Sequence, residues 1–394
     1  ATTERQYQDD MRELGCLDPT RQPRATENID EMVAMITTLI EQGHAYEAQG
    51  HVLFRVASFR QGEQTRYGEL SHRSLDDMIA GARVEVAPYK KDPMDFVLWK
   101  PSGDDQPGWD SPWGNGRPGW HIECSAMSRK FLGPTFDIHG GGIDLSFPHH
   151  ENERAQSCCA NGTERMARIW MHNGFLQING EKMSKSLGNF FTVHELLHGT
   201  KFGGRSWPGD VLRLAMLTRH YREPIDLSVD RLTEAERMLE RWKRAMAASG
   251  LDFVEANRGA FEALGPCSKL LAALSDDMNM AGVLTHLHRH AKASESGTRL
   301  HNAQRLFGSL NLLGIVSFDS MKKWQEATEK LQENADVDVE KITVAIAQRK
   351  AALAEKNWAE ADRIRDQLAS EGIRLTDSKD TETGERITRW ERMS

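Results

Sequence analysis

Apolar residues recur along this chain at two spacings, and the change from one to the other marks its elements. Ile29, Met32, Val33, Ile36, Leu39 and Ile40 fall on one face of a helix. Asn28 with Glu31 can cap its start and Gly43 ends it, so the segment reads as a core-packing helix. Thr3 to Leu14 reads as the closing turns of a longer helix. Residues 51–56 and 95–100 are β-branched and aromatic enough for strands, with a polar, charged stretch between them. Lys90 and Lys91 in that stretch read as a solvated pair, RNA contact being their other use. From Asp210 the pattern is helical again. Val211, Leu212, Leu214 and Met216 lead in, and Leu232, Ala235, Met238, Leu239, Trp242 and Met246 keep one apolar face. Residues 341–373 predict two helices broken near Lys356 and Asn357, with Trp358, Ala361, Ile364 and Leu368 as the apolar stripe of the second.

Polar residues crowd between Trp120 and Glu153: Trp-His-Ile-Glu-Cys at 120–124, Asp-Ile-His-Gly-Gly-Gly at 137–142, Phe-Pro-His-His-Glu-Asn-Glu at 147–153. Cys124 offers a soft thiolate. Pro148 suits the first turn of a helix, on which His149 and Glu153 are i and i+4 and share a face. One Cys, one His and one Glu with an open position is the pattern of a working zinc rather than a structural one. His150 fits the same role as His149. Each residue taken alone has a plainer reading, a buried thiol as a small hydrophobe or a His–Glu surface pair, and it is the cluster that favours metal. Gly140, Gly141 and Gly142 would let backbone approach a nucleotide closely, although most such runs are turns. Trp170, Met171 and His172 read as a strand end, with His172 either at the rim of the same site or packed in the core. The segment 182–186, Lys-Met-Ser-Lys-Ser, follows Gly180 and reads as a mobile loop. Its Lys182 and Lys185 are compact charges suited to phosphate, in a sequence otherwise typical of a solvated turn. His286, His288 and His290 alternate across a helix with no carboxylate near and read as surface residues. Trp390 lies beside Arg389 and Arg392. Such a ring can stack a single-stranded base or pack onto its own domain.

Two hydrolase readings fail on spacing. His121-Ile-Glu123 fits the H-x-E of nucleobase deaminases, which also need P-C-x-x-C. Here Cys158 and Cys159 are adjacent and no C-x-x-C or H-E-x-x-H occurs.

Composition narrows the class. With 39% apolar residues over 394 positions, two to four domains with real cores are expected. No apolar run reaches membrane-span length, and the chain reads as having no signal peptide. Five cysteines, an odd number, suit a reducing cytoplasm. A net charge of −8 does not advertise a nucleic-acid binder, so any RNA surface would be local.

At residues 119–125, 136–142, 147–153 and 170–172, in that order, the sequence resembles cysteinyl-tRNA synthetases, a class I aminoacyl-tRNA synthetase family. Segment 182–186 resembles their KMSKS loop, and the resemblance runs over nearly the whole chain. It implies an α/β nucleotide-binding (Rossmann-like, class I synthetase) core with an insertion, followed by an α-helical bundle domain and a small C-terminal anticodon-binding domain. The implied divisions are 1–24 (remnant of the first half of the nucleotide fold), 25–115 (connective insertion), 116–205 (second half), 206–322 (bundle) and 323–394 (anticodon region). It places Cys124, His149 and Glu153 as zinc ligands and Trp120 and His139 in the cysteine pocket. Lys182 and Lys185 become catalytic, and Lys185, Gly141 and His172 meet ATP. Zn2+, ATP and Mg2+ follow as cofactors, and L-cysteine and tRNA(Cys) as partners of a cytoplasmic monomer. The family also carries an upstream fourth zinc-ligand Cys and a HIGH motif. Neither is in this sequence, which is therefore expected to lack its first segment and, as it stands, to activate cysteine poorly. The competing readings are a tRNA-binding paralogue without catalysis, a zinc-dependent hydrolase, and a ligase joining cysteine to a small amine. Residues 325–394 speak against the last.

Overall fold

The computed structural model describes residues 2–62, 64–74, 87–294, 299–379 and 386–392. Parts of the charged stretch between the first strands and of the last twenty residues, with the side chains of Arg389 and Arg392, lie outside the described residues.

Helix α1 (Thr2–Glu13) precedes α2 (Ile29–Glu41), whose Ile29, Met32, Ile36 and Leu39 are buried as their spacing predicts, while Val33 and Ile40 are half-buried and Met35 is buried as well. Gly43, at φ +77°, follows it. Asn28 sits at the N-cap but does not cap with its side chain. Its Nδ2 donates to Arg24 O at 2.7 Å and its Oδ1 accepts from Lys130 Nζ at 2.9 Å, so tertiary partners take the amide.

α2 packs on a four-stranded antiparallel sheet in the order β1 (Ala45–Ala48), β2 (His51–Phe54), β5 (Phe96–Pro101), β6 (Gly116–Pro118). The short strands β3 (Arg60–Gln61) and β4 (Gln64–Thr65) form a hairpin outside it. β2 stops two residues before Val56 because Val56 N leaves the ladder and donates to Asp95 Oδ1 at 3.0 Å. Asp95 also accepts from Tyr46 OH at 2.7 Å and is fully buried. Lys90 and Lys91 are engaged locally. Lys90 Nζ donates to Pro93 O at 3.3 Å, and Lys91 Nζ lies 4.4 Å from the Tyr46 ring centroid.

Next comes a helix, then a strand–helix–strand unit: α3 (Trp120–Leu132), β7 (Phe136–Gly142), α4 (Glu151–Asn161) and β8 (Ala167–Asn173). β7 and β8 are parallel, with His139 opposite Trp170 and Gly141 opposite His172. The α3 residues Ile122 and Ala126 share a core with Ala155 and Cys158 of α4. β9 (Leu176–Ile178) then pairs antiparallel with β10 (Glu181–Lys182) and parallel with β11 (Ile225–Leu227), and α5 (Val193–His198) and α6 (Gly209–Leu217) come before β11.

The rest is helical: α7 (Val229–Ala248), α8 (Arg258–Glu262), α9 (Ser268–Ser275), α10 (Met280–Ala293), α11 (Arg299–Leu312), α12 (Phe318–Ala354) and α13 (Trp358–Ser370). The six predicted positions from Leu232 to Met246 are all buried. Two stripes end sooner than their spacing suggests. Met216, in the last turn of α6, is 43% exposed, and Trp358, at the first position of α13, is 59% exposed. Both ends are left open to solvent, whereas Ala361, Ile364 and Leu368 are buried. α12 runs unbroken for 37 residues across position 323, joining bundle and C-terminal unit through one helix. The hairpin β12 (Ile373–Lys379) and β13 (Arg386–Arg392) closes that unit, and Trp390 packs onto its core beside Leu375. Arg213 ties the front of the chain to the bundle, with Nε on Leu313 O at 2.6 Å and Nη1 on Leu14 O at 3.2 Å. Among the described residues, no helix is long and apolar enough to cross a membrane.

Candidate metal centre

Two helix starts converge here. Gly119 precedes α3 and donates its N–H to Leu98 O at 2.8 Å; a Cβ on it would lie 2.0 Å from Val97 O. Only glycine permits that approach, and it sets Trp120, His121 and Cys124 against the second helix. There, Phe147 is extended (φ −144°, ψ 132°) and kinks the chain, and from Pro148 the backbone runs into α4. His149, His150 and Glu153 are buried, Glu153 completely.

A ligand atom of each of Cys124, His149 and Glu153 lies within 4.8 Å of the other two, and the same holds for His139, His150 and Glu153. Glu153 is common to both. Its Oε1 lies 2.5 Å from His149 Nε2 and its Oε2 2.8 Å from His139 Nε2. Yet neither imidazole N–H points along those lines, and both carboxylate oxygens are buried without an aligned donor. Buried carboxylate oxygens normally find donors or a cation. Burial would raise the Glu153 pKa, but the close approach of the His139 and His149 rings outweighs it and holds it down at about 2. Burial, then the Glu153 charge, pushes the Cys124 thiol up to about 12. A thiolate beside that carboxylate therefore requires a cation to balance both. Two anionic ligands and a neutral imidazole suit Zn2+ in charge and in donor type.

Imidazoles frame the group. His149 Nδ1 meets His121 Nδ1 at 2.9 Å, while Trp120 stacks on the His149 ring with centroids 4.2 Å apart. Together they aim His149 Nε2 toward Glu153, as partners behind metal ligands do. His150 Nδ1 meets His172 Nε2 at 2.8 Å. Burial lowers His121 and His150 to about 4, so both are neutral at pH 7, and burial lowers His172 as well. His139 is wedged between His150 and Trp170, at ring distances of 4.6 and 4.8 Å. His121 was not legible as a partner of His149, because the two are 28 positions apart and no spacing rule joins them.

Of the positions expected to meet a nucleotide, Gly141 and His172 lie beside this group. Gly141 is opposite His172, and a Cβ on it would meet His150 Cε1 at 2.9 Å. Lys182 ends β10 and Lys185 lies in the turn after it. That turn is fastened by Ser184 N to Asn189 Oδ1 at 2.8 Å and Asn189 Nδ2 to Lys182 O at 3.2 Å. The two ammonium groups rest 5.4 and 5.6 Å over the Phe175 and Phe190 rings and form no ion pair among the described residues, which leaves their charge available to an anion.

A hydrolase needs a free carboxylate as base at the metal. Glu151 is occupied, accepting from Ser71 N at 2.9 Å and facing Arg154 Nη1 at 3.3 Å, and Glu123 belongs to neither ligand group. The bundle histidines hold no metal group among the described residues. His290 Nδ1 meets Asn302 Oδ1 at 3.0 Å and His288 lies against Trp242.

The family model for the class I (C) tRNA synthetase catalytic domain matches residues 1–237. The chain is 53% identical over 389 residues to the cysteine–tRNA ligase of Rhizobium meliloti (strain 1021), covering 99% of this chain and 76% of that protein. It is 54% identical over 373 residues to that of Methylocella silvestris, covering 95% and 76%. With that of Agrobacterium fabrum it shares 52% over 386 residues, covering 98% and 77%.

Proposed function

The chain belongs to the cysteine–tRNA ligases, class I aminoacyl-tRNA synthetases, and from that footing we propose that Cys124, His149 and Glu153 hold a zinc ion by which the enzyme selects cysteine. The observation that carries this is Glu153: a fully buried carboxylate with both oxygens lacking an aligned donor, beside a thiol and an imidazole. When bound, zinc supplies a sulfur-seeking position that takes the thiolate of cysteine and leaves the neutral hydroxyl of serine. Shape alone separates such near-isosteres poorly.

The remaining residues position and neutralise. Trp120 and His121 fix the His149 ring, and His139 is placed to orient the amino acid from the Glu153 side. The cysteine carboxylate attacks the α-phosphorus of ATP, pyrophosphate departs, and the terminal ribose of tRNA(Cys) takes the aminoacyl group. The protein forms no covalent bond in this sequence, so alignment and charge carry the rate. Lys182 and Lys185 meet the charge that gathers on the leaving phosphates, and Gly141 and His172 border the nucleotide. ATP brings Mg2+ as its counterion. The small C-terminal unit meets the tRNA. A cytoplasmic monomer completes the reading.

The test is Cys124→Ser in the complete protein. With Co2+ in place of zinc, the sulfur-to-metal absorption of the wild type should weaken by the share Cys124 supplies. Cysteine-dependent pyrophosphate exchange should fall by more than the roughly 10–100-fold that loss of an outer partner costs. An unchanged absorption band, or exchange at the wild-type rate, refutes the assignment.

A further inference from the structure

Away from the centre just described, α1 and α5 bring together Asp10, His194 and His198, whose ligand atoms also lie within 4.8 Å of one another. His194 and His198 are i and i+4, the spacing by which one helix presents two imidazoles to a single ion. α5 is fixed at both faces. Thr192 and Glu195 close a capping box at its start, and Leu196 and Leu197 are buried beneath it. Asp10 is 7% exposed and accepts from or faces His194 Nδ1 at 3.0 Å. Glu13, one turn on, puts Oε2 at 3.3 Å from His198 Nε2. These groups line a cleft of about 540 Å3 with Arg5 and Asp9, and Asp9 is taken up by Arg12 at 3.2 Å.

Two ion pairs between helices would account for each contact singly. They would not require the ligand atoms of both rings and of Asp10 to lie within 4.8 Å of one another, with the ring centroids 4.6 Å apart. A shared cation accounts for that convergence, each ring turning a lone pair inward to it. Two imidazoles with one or two carboxylates favour a borderline divalent ion over Mg2+ or Ca2+, which take all-oxygen sets.

We propose that Asp10, His194 and His198, with Glu13 beside them, form a second metal site, for Zn2+ or a similar divalent transition ion, which clasps the first helix to the helix that follows the 182–186 loop. It shares no residue with Cys124, His149 and Glu153 and uses no thiolate, so the two sites are separable by their spectra.

The experiment uses the complete protein in three forms: wild type, Cys124→Ser, and Cys124→Ser with His194→Ala and His198→Ala. Each is loaded with Zn2+ and dialysed, and metal content and zinc X-ray absorption are read. Cys124→Ser should keep one equivalent in a nitrogen and oxygen shell with imidazole scattering, whatever sulfur-bound zinc the first centre retains. The triple variant should lose that equivalent. Metal kept undiminished by the triple variant, or none kept by Cys124→Ser, overturns the proposal. Should the triple variant fail to fold, imidazole NMR of the wild type decides: Zn2+ must shift the His194 and His198 ring signals, and unmoved signals overturn the site. Weakening of the Co2+–sulfur band in Cys124→Ser tests only the first centre, so failure of one leaves the other standing.

Discussion

A single methyl group at Gly141 would press on the ring that joins the candidate metal centre to the nucleotide side. The added carbon would meet His150 Cε1 at 2.9 Å, His150 Nε2 at 3.1 Å and Leu145 Cδ1 at 3.1 Å. His150 cannot yield without leaving His172. Overpacking of this kind costs about 1–3 kcal/mol. Gly141→Ala should lower the urea midpoint accordingly and slow cysteine-dependent pyrophosphate exchange on the order of tenfold, and unchanged values of both would contradict the placement. At this scale the sequence was informative where partners are neighbours. His149 and Glu153 are four apart on one helix, and their pairing follows from that alone. The spacing leaves His149 and His150 equally eligible, and the structure places each in a group with Glu153, His149 with Cys124 and His150 with His139. Asp10 and His194 are 184 positions apart, and only the fold discloses their contact.

Elements are held here by buried polar contacts that periodicity does not register. Asp95 anchors the sheet of the insertion by accepting from Tyr46 OH and from Val56 N, while Lys91 N donates to Tyr46 OH at 2.8 Å. Tyr46→Phe leaves one Asp95 oxygen without its donor and Lys91 N without its acceptor, a loss of about 1–3 kcal/mol that urea unfolding should read. Burial, foremost, pushes the Tyr46 hydroxyl up to about 12. Because that folded value is raised above the usual value of about 10, its contribution to stability is whole below pH of about 10 and drains away as pH rises toward 12. The wild type should show that slope, and Tyr46→Phe should flatten it. An equal slope in both proteins would assign it to other groups. The same contacts explain why the strand ends before residue 56 and why Asn28, though at the N-cap, does not cap with its side chain: Val56 leaves its ladder for Asp95, and Asn28 gives its amide to Arg24 and Lys130.

For the whole molecule, the apolar stripes of the bundle were readable because each helix declares its own buried face. How the front helix meets that bundle was not, since Arg213 and Leu14 are 199 positions apart. Composition, with a net charge of −8, gave no hint of RNA at all. Arg213 hydrogen-bonds the carbonyls of both Leu14 and Leu313, and Gly314 lies close enough that a Cβ on it would sit 2.8 Å from Arg213 Nη2. Arg213→Met keeps the stem but orphans two carbonyls. Hydrogen exchange over residues 2–14 should quicken while the bundle core keeps its protection, and exchange as slow as in the wild type would show that the helix docks without this arginine.

The uninterrupted 37-residue α12 has a mechanical consequence. At 1.5 Å per residue it is a rod about 55 Å long, rooted among the bundle helices and carrying the terminal hairpin beside Ile342 to Arg349 in its outer half. A tilt of ten degrees at the root sweeps the tip through roughly 10 Å by that same rise. Whatever the hairpin grips is thus felt at the base as leverage, and the base in turn governs how far the hairpin reaches.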